Sequence, residues 1–518
     1  MTATAVRELM SAIDGIEQRR LALQRSCDRL RSAQQRNRMG QYATPGELAG
    51  ELLRYARTLL PGSTVRFLDP AIGTGSFYAA LLREWPPAQI SGATGFEVDP
   101  HYGEPCGALW GDTPLQLRLE DFTAAVPPSA EAGRYNLLIC NPPYVRHHHL
   151  QSAAKVRLQL RSMLATGLQL SGRAGLYAYF IMLAHGWMSA GALAGWLIPG
   201  EFMDVNYGHA LKRYLLRAVT LLRIHRFDPS ELQFGDALVS SAIVWLRNQP
   251  PEGAHQVEFS YGGTLTNPKT RAMVAASRLE GAAKWTGFAA SVPATRAAAA
   301  ATLGEYFRVQ RGVATGANEF FIMSGEQALE RGIPRQCLRA ILPGPRQLQL
   351  DEVPADAAGN PQLARPLWML DCRLSEQEIR ELHPALWRYL AAGRAQVAGG
   401  YLCSRRAPWY AQEIRAPTFF LCTYIARGRR DGRLQRFIFN RSQAIATNSY
   451  LMLYPRETLE RFISGDAGRA RLVWELLSGI GSDVFRACGR VYGGGLYKLE
   501  PKELANVPVT QLAELLRS

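Results

Sequence analysis

Residues 65–85 of the chain read VRFLDPAIGTGSFYAALLREW. The first part, VRFLDPA, is an apolar segment typical of a buried strand, and the glycines that follow predict a tight turn. SFYAALLREW has the composition of a helix, which Pro86 and Pro87 would stop. Because a strand, a glycine-rich turn and a helix follow one another directly, this stretch predicts one unit of a doubly wound α/β sheet.

The same succession of strand and helix extends over residues 64–247. Short apolar segments alternate with helical ones such as GLYAYFIMLAHGWMSA (175–190). This alternation predicts an α/β domain with a mostly parallel sheet. The other predicted strands are ISGATGFEVDP (90–100), LRLEDF (117–122), YNLLICNPPY (135–144), AGWLIP (194–199), LRIHRFD (222–228) and VSSAIVWLR (239–247).

We expect four segments along the chain. Residues 1–40 combine helical spacing of apolar residues with a basic outer face, which favours an arm that packs on the protein over one that contacts a DNA backbone. Residues 41–250 form the α/β domain. Residues 251–300, rich in Pro and then Ala, predict a connector, and residues 301–518 predict a second domain of mixed α/β type.

Composition limits the class of protein. The chain has 518 residues, a formal net charge of +15 and eight scattered cysteines. The positive charge favours a polyanionic partner such as nucleic acid, and cysteines without a CxxC pair predict neither a disulfide framework nor a metal site. Since the N-terminal sequence has no signal-peptide core and the chain no long uncharged apolar run, we expect a cytoplasmic location.

The first strand and its turn predict a ligand site. Ligands bind beyond the carboxyl ends of strands in doubly wound sheets, where Asp69 and Ala71 lie, and Gly73 and Gly75 would let the backbone approach a ligand closely. The third glycine of the pyrophosphate fingerprint would fall at Tyr78, so a ligand without a phosphate is favoured.

Acidic residues follow the next two strands. Glu97 ends the second strand, where an acid can accept both hydroxyls of a ribose. Asp121 closes the predicted third strand and can accept from an adenine amine, and the Phe122 ring could stack on that adenine. A lone strand-end acid is often a helix cap, but acids at successive strand ends favour a nucleoside cofactor.

The sequence Asn141-Pro142-Pro143-Tyr144 ends the fourth strand. These residues suit a reaction at the amine of an adenine. The lone pair of that amine is delocalised into the ring, and a catalyst must draw it back onto nitrogen. The Asn141 side-chain oxygen and the Pro142 carbonyl can accept from the two N–H bonds and offset the charge that develops on methyl transfer. The prolines would fix the backbone, and Tyr144 offers a flat face to the base; a rigid turn is the alternative interpretation.

A base inside a duplex must be flipped out to reach such a pocket, at a cost of roughly a few kcal/mol that aromatic stacking helps to offset. Phe234, in LQFGDALVSSAIVWL, is a candidate second aromatic wall. Ordinary filling of the core would explain Phe234 equally well.

In their order, these motifs resemble those of the gamma class of DNA adenine-N6 methyltransferases, the TaqI-like, Eco57I-type family of restriction-modification systems. QYATP (41–45) resembles the first motif of that family, and DPAIGTGSF, FEVD, EDF and NPPY resemble the next four. VQRGVATGANEFF, TNSYLMLYP and YGGGLYKLEPKELANVPV resemble pieces of its DNA-recognition domain more loosely. The resemblance implies a Rossmann-like class I methyltransferase domain followed by a target-recognition domain.

The resemblance also implies S-adenosyl-L-methionine as cofactor and double-stranded DNA as substrate. The residues at the target adenine would be Asn141, Pro142 and Tyr144, with Phe234 stacking on the base. The residues at the cofactor would be Thr44, Asp69, Ala71, Gly73, Gly75, Glu97, Asp121, Phe122 and Asn141.

Two stretches are predicted to face DNA. Between Tyr401 and Arg441 there are nine arginines and two acids, with aromatic residues interleaved, and arginine suits both phosphates and guanine edges. His147–His149 predict a polar loop near the DNA, because adjacent side chains cannot easily share one metal ion. The candidate DNA-binding arginines are Arg405, Arg406, Arg427, Arg429 and Arg430.

Other interpretations remain open. Cytosine-N4 methyltransferases use similar chemistry, usually with Ser in place of Asn, and protein glutamine methyltransferases share NPPY but are typically short. RNA is a further candidate substrate. No nuclease motif is found, so a separately encoded restriction endonuclease is expected rather than a combined restriction enzyme. A single domain of each kind would suit a monomer on an asymmetric site. A purely DNA-binding subunit would not need both NPPY and the cofactor acids.

Overall fold

The protein is described by a computed structural model that forms two compact units. The first consists of residues 1–293 with 492–494, and the second of residues 294–491 with 495–518. None of the described helices is long and apolar enough to cross a bilayer. The structure describes residues 3–228, 241–289, 301–427, 434–482, 484–485, 490–492 and 496–517.

The N-terminal segment of the first unit is helical. Glu17, Arg20 and Cys27 are buried, and the carbonyl of Cys27 lies 3.0 Å from the His101 ring nitrogen Nε2. A capping box between Ser32 and Gln35 starts the second helix. The helices of this segment are α1 (Ala3–Arg29), α2 (Ala33–Met39) and α3 (Gly46–Leu59).

A sheet forms the centre of the first unit. Its described strands are β1 (Val65–Asp69), β2 (Ile90–Phe96), β3 (Leu115–Arg118), β4 (Tyr135–Cys140), β5 (Met188–Pro199), β6 (Thr220–Arg226), β7 (Ser241–Arg247), β8 (Gln256–Gly263) and β9 (Pro268–Ala275). They are ordered β3-β2-β1-β4-β5-β7-β6-β8-β9. Neighbours from β3 to β5 are parallel, and β7 is antiparallel to both β5 and β6. The predicted α/β fold with a mostly parallel sheet is confirmed.

Hydrophobic packing covers both faces of this sheet. Phe67 and Leu137 belong to one buried cluster, whereas their chain neighbours Leu68 and Leu138 belong to another. This alternation follows from the two-residue period of a strand and explains why β1 and β4 are almost wholly apolar. The remaining helices of the unit are α4 (Ser76–Glu84), α5 (Pro100–Trp110), α6 (Ser152–Thr166), α7 (Leu176–Ala184), α8 (His209–Arg217) and α9 (Ala276–Glu280).

The order of strands fixes where a ligand can bind. The chain leaves β1 toward β2 and β3 on one side and returns to β4 on the other side. The switch point therefore lies between β1 and β4, and a crevice opens beyond their carboxyl ends. The third strand ends at Arg118, so Asp121 lies in the following turn and not at the strand end that the sequence predicted.

The prediction of a connector over residues 251–300 was wrong for its first part. Strands β8 and β9 lie within it and extend the sheet beyond β6. Val257 and Phe259 are buried and alternate with less buried residues, which is the signature of a strand with one covered face. The flanking Pro-rich and Ala-rich composition concealed this alternation. Residues 290–300 lie outside the described part.

The second unit contains smaller sheets. Its strands are β10 (Phe307–Arg311), β11 (Ile322–Ser324), β12 (Leu338–Ile341), β13 (Glu352–Val353), β14 (Leu367–Leu370), β15 (Phe420–Thr423), β16 (Ile425–Arg427), β17 (Phe437–Asn440), β18 (Tyr450–Pro455), β19 (Arg490–Tyr492) and β20 (Leu496–Lys498). They form sheets ordered β10-β18-β15-β17-β13, β11-β14-β12 and β16-β20-β19. The mixed α/β type predicted for this region is confirmed.

Some helices of the second unit cover one face of the five-stranded sheet, and others pack beside the sheet ordered β11-β14-β12. Phe420 and Cys422 face one buried cluster and Leu421 faces another, so both faces of β15 are packed. The helices are α10 (Leu303–Tyr306), α11 (Asn318–Phe321), α12 (Gly325–Glu330), α13 (Glu376–Leu382), α14 (Pro384–Val397), α15 (Glu457–Ile463), α16 (Ala467–Ser478), α17 (Pro501–Ala505) and α18 (Thr510–Leu515).

Candidate active site

Asp69 is the last residue of β1 and only 1% of it is exposed. Its Oδ1 accepts a hydrogen bond from the N–H of Ala71 at 3.1 Å. Burial raises the pKa of Asp69 to about 7, because the charged form loses its water, and the nearby carboxylate of Glu97 contributes a smaller part of this rise. The carboxyl end of β1 therefore presents an acid whose ionisation a cationic ligand would favour.

The turn after β1 contains two glycines with different surroundings. Gly73 and Gly75 have φ angles of 56° and 92°, in the left-handed region that favours glycine. A Cβ on Gly75 would lie 2.5 Å from Nε1 of Trp110, whose N–H donates to the Thr74 carbonyl. A Cβ on Gly73 would meet no atom within 4 Å. Gly75 is thus needed for packing, whereas Gly73 lies beside open space.

Glu97 directly follows β2 and is held against the same turn. Its Oε2 accepts from the N–H of Gly73 at 3.1 Å, and its Oε1 accepts from the N–H of Asp99 at 2.8 Å. Burial raises the pKa of Glu97. The structure therefore brings together Asp69, Glu97 and the glycine turn, which follow two different strands in the sequence.

Asp121 and Phe122 have local partners of their own. Oδ1 of Asp121 accepts from the N–H and the hydroxyl of Thr123, at 2.9 and 2.7 Å. Phe122 is 2% exposed, and its ring centroid lies 5.3 Å from those of Phe96 and Phe180. These contacts favour turn capping for Asp121 and core packing for Phe122, and their roles at the cofactor stay predictions.

Asn141 follows β4 and is oriented by its amide nitrogen. Nδ2 donates to the carbonyl of Tyr42 at 3.0 Å and to the hydroxyl oxygen of Thr44 at 3.1 Å. A carbonyl only accepts, so this contact fixes which end of the amide is nitrogen. Oδ1 is buried and has no hydrogen-bond partner among the described residues. Since an unsatisfied buried acceptor is costly, this oxygen is suited to a ligand that donates to it.

Tyr144 is fixed at both its backbone and its hydroxyl. Its N–H donates to the carbonyl of Gly40, and its hydroxyl donates to the carbonyl of Leu197, each at 3.2 Å. Its ring centroid lies 5.5 Å from that of Tyr42. Gly40 has a φ of 66°, and a Cβ there would lie 2.3 Å from the Tyr144 nitrogen. The segment that ends α2 and the NPPY loop are therefore interlocked.

The described candidate DNA contacts differ in how they are held. The Arg405 guanidinium lies 4.0 Å from the ring centroid of Tyr401. Arg406 donates to the carbonyls of Ala314 and Thr315, at 2.6 and 2.8 Å, so it is anchored to its own unit. The remaining candidates lie outside the described residues: Phe234, the side chain of Arg427, Arg429 and Arg430.

Sequence analysis missed Asp99 and its partners from the N-terminal segment. Asp99 is 5% exposed and accepts hydrogen bonds from Arg31 at 3.0 Å and from Gln41 at 2.7 Å. Burial opposes the ionisation of Asp99, but these hydrogen bonds lower its pKa below the ordinary value. Asp99 ends the FEVD motif and Gln41 begins QYATP, so both motifs carried a signal, whereas nothing in the sequence distinguished Arg31 from the other basic residues of the arm.

The site combines a doubly wound sheet, acids at two strand ends, a glycine turn and an oriented asparagine at a third strand end. These features define a class of protein, the class I methyltransferases. Two family models match the chain: "Eco57I restriction-modification methylase" over residues 111–234 and "Type II methyltransferase M.Eco57I, C-terminal domain" over residues 289–518. Both models describe Eco57I-type methyltransferases of restriction-modification systems, and together they support an Eco57I-like methyltransferase.

Similar proteins span nearly the whole chain. The Type II methyltransferase M.XamI of Xanthomonas campestris pv. amaranthicola is 29% identical over 92% of this chain and 86% of its own length. The Type II methyltransferase M.AccI of Acinetobacter calcoaceticus is 24% identical over 93% of this chain and 87% of its own length. The Type IIL restriction-modification enzyme MmeI, solved in complex with DNA, shares the fold at a TM-score of 0.53 and 13% identity, over 89% of this chain and 64% of that longer chain.

The protein is therefore a Type II restriction-modification DNA methyltransferase that uses S-adenosyl-L-methionine. The site fits this cofactor by the chemistry of its residues. The cofactor is cationic at its sulfonium and amino groups, and the carboxyls of the buried Asp69 and the half-buried Glu97 both have raised pKa values that a nearby cation would lower. The space beside Gly73 is open to it.

Replacing each glycine of the turn by alanine should separate packing from ligand binding. Both substitutions add the strain of a left-handed φ, about 1–2 kcal/mol, but only Gly75→Ala places a methyl group against Trp110. We expect Gly75→Ala to lower the thermal unfolding temperature more than Gly73→Ala, and Gly73→Ala to weaken S-adenosylmethionine binding in calorimetry. Equal losses of stability would contradict this account of the turn.

Asp69 predicts a pH-dependent stability. Its pKa rises from 3.8 to about 7 on folding, so its contribution to stability is greatest at low pH and is lost as pH rises through that interval. Asp69→Asn removes the charge and keeps the acceptor for Ala71. We expect the unfolding temperature of the variant, relative to wild type, to increase from about pH 4 to about pH 8. Asp112→Asn, at an exposed position, is the control. If the unfolding temperatures of Asp69→Asn and wild type differ by the same amount at every pH, the raised pKa of Asp69 is refuted.

Proposed function

We propose that the protein transfers a methyl group from S-adenosylmethionine to the N6 amine of an adenine flipped out of double-stranded DNA. The observation that carries the proposal is the orientation of Asn141. Its nitrogen is engaged by Tyr42 and Thr44, which leaves Oδ1 as a buried acceptor without a partner in the described part of the chain. An exocyclic amine is the donor that such an acceptor requires.

The bound cofactor supplies an electrophilic methyl group on a positively charged sulfur. Oδ1 of Asn141 and the carbonyl of Pro142 would each accept one N–H of the amine, which localises its lone pair on nitrogen. As the carbon–nitrogen bond forms and the methyl–sulfur bond breaks, the sulfur would leave as a neutral thioether. The same two acceptors would offset the positive charge on the amine until one of its protons passes to solvent. Acceptors placed for developing charge are typically worth about 10²–10³ in rate each.

Aromatic side chains would hold the flipped base. Tyr144 is buried, and its ring is fixed by the hydrogen bond from its hydroxyl to Leu197, so it would present a preformed face. Stacking on such a face offsets part of the cost of unpairing, which is roughly a few kcal/mol. We propose Phe234 as the opposite wall.

The charge of the chain supports DNA as substrate. With its net charge of +15 the protein attracts a polyanion. We propose that four arginines of the second unit contact the DNA: Arg405, Arg427, Arg429 and Arg430. Arg406 would support this surface, because its guanidinium is bound to backbone carbonyls. We also propose that the protein is a monomer and that a separately encoded restriction endonuclease accompanies it.

The decisive experiment identifies the methylated nucleoside. Wild-type protein is incubated with unmethylated DNA and isotopically labelled S-adenosylmethionine, and the DNA is digested and analysed by mass spectrometry. We expect labelled N6-methyladenine. Because Asn141 supplies one of the two acceptors, Asn141→Ala should lower turnover about 10²–10³-fold while binding of DNA is kept, and Asn267→Ala, at an exposed position of the same unit, should not.

Other outcomes would overturn parts of the proposal. Labelled N4-methylcytosine would retain the cofactor and the role of Asn141 but replace the target base. Label in RNA or protein with none in DNA would contradict the assigned substrate. Full turnover by Asn141→Ala would exclude this side chain from catalysis.

A further inference from the structure

Helix α1 buries a pair of opposite charges. Glu17 is 4% exposed and Arg20 1% exposed. Nε and one terminal nitrogen of Arg20 donate to the two carboxylate oxygens of Glu17, both at 2.7 Å. The adjacent Arg19 is exposed. A buried ion pair is often replaceable by apolar residues without loss of stability, so its presence calls for a further explanation.

The remaining terminal nitrogen of Arg20 reaches the cofactor turn. It donates to the hydroxyl oxygens of Thr74 and Ser76, at 3.2 and 2.9 Å. The Thr74 hydroxyl in turn donates to Oε1 of Gln24 at 2.7 Å. Two side chains of α1 thus hold the residues on either side of Gly75, and Glu17 holds the guanidinium in the orientation that this requires.

The same hydrogen bonds continue to the catalytic loop. The Ser76 hydroxyl accepts from Arg20 and donates to the carbonyl of Thr44 at 3.0 Å. The Thr44 hydroxyl oxygen accepts from Nδ2 of Asn141 at 3.1 Å. The Ser76 hydroxyl uses its single proton toward the Thr44 carbonyl. Asn141 donates to the Thr44 hydroxyl from the other side, so the hydrogen bonds from Arg20 and from Asn141 meet at two different oxygens of Thr44.

We infer that Arg20, oriented by Glu17, is a positioning residue for methyl transfer: it sets the cofactor turn and, through Ser76 and Thr44, the orientation of Asn141. This role rests on the proposed function of Asn141. It makes the N-terminal helix a working part of the active site, although Arg20 lies on a different element from every residue that would touch a substrate.

The choice of arginine follows from geometry. Its planar fork offers five donors, which serve two carboxylate oxygens and two hydroxyls at once. Lysine has the same charge but a single nitrogen, which cannot span Glu17, Thr74 and Ser76. Arg20→Lys therefore keeps the buried charge pair possible and removes the positioning.

The test measures kcat at saturating DNA and cofactor, the Kd for S-adenosylmethionine by calorimetry, and the unfolding temperature. We expect Arg20→Lys to lower kcat at least about tenfold and to weaken cofactor binding, since small misplacements can cost about 100-fold in rate. Arg19→Lys, on the exposed side of the same helix, should match wild type in all three. If Arg20→Lys lowers only the unfolding temperature and leaves kcat and the Kd unchanged, the role of Arg20 is merely structural and the inference is overturned.

A double-mutant cycle tests the route through Thr44. Thr44→Val removes the acceptor for Asn141 with little change of shape. If Arg20 acts on Asn141 through Thr44, Arg20→Lys should reduce kcat much less in the Thr44→Val background than in wild type. Independent, multiplicative losses would refute the route. Failure of the proposed function is distinguishable, because it would appear as wild-type protein that leaves adenine unmethylated, whereas the calorimetric comparison of Arg20→Lys with wild type needs no turnover.

Discussion

The orientation of the Asn141 amide depends on two acceptors that precede the sheet in sequence. Tyr42 and Thr44 bind its nitrogen, and they are placed by the left-handed Gly40 and by the start of α3. A loop at the end of β4 could not by itself distinguish the oxygen of an amide from its nitrogen. The segment from α2 to α3 therefore decides which atom the site offers, and the parallel sheet decides where it is offered.

Most of this arrangement could be predicted from the sequence because its parts are local. A strand, a glycine turn and a helix are contiguous in residues 65–85, and an acid at a strand end is visible without knowing its neighbours. The parallel connections then bring Asp69, Glu97 and Asn141 to one edge by topology alone. Local pattern and topology agree here, and for that reason the prediction of the fold held, whereas the roles of these three residues stay predictions.

What the sequence concealed was non-local. Glu17 and Arg20 look like part of a solvated basic helix, and only the packing of α1 against the turn shows that they are buried. The extra strands β8 and β9 were hidden by flanking Pro- and Ala-rich stretches. The ring of Phe122 fills the core, and a motif cannot tell a ring that packs inward from one that faces a ligand.

The distribution of charge suits both the cofactor and the DNA. The chain is basic overall, at +15, yet the candidate cofactor site contains the buried Asp69 and the half-buried Glu97, both with raised pKa values. A cationic cofactor relieves the cost of those carboxylates, whereas the basic exterior attracts DNA. The two acids Asp69 and Glu97 lie together beside the glycine turn, whereas the Asn141 amide carries no charge. In the proposed mechanism it can therefore accept from an amine without attracting the cation of the cofactor to itself.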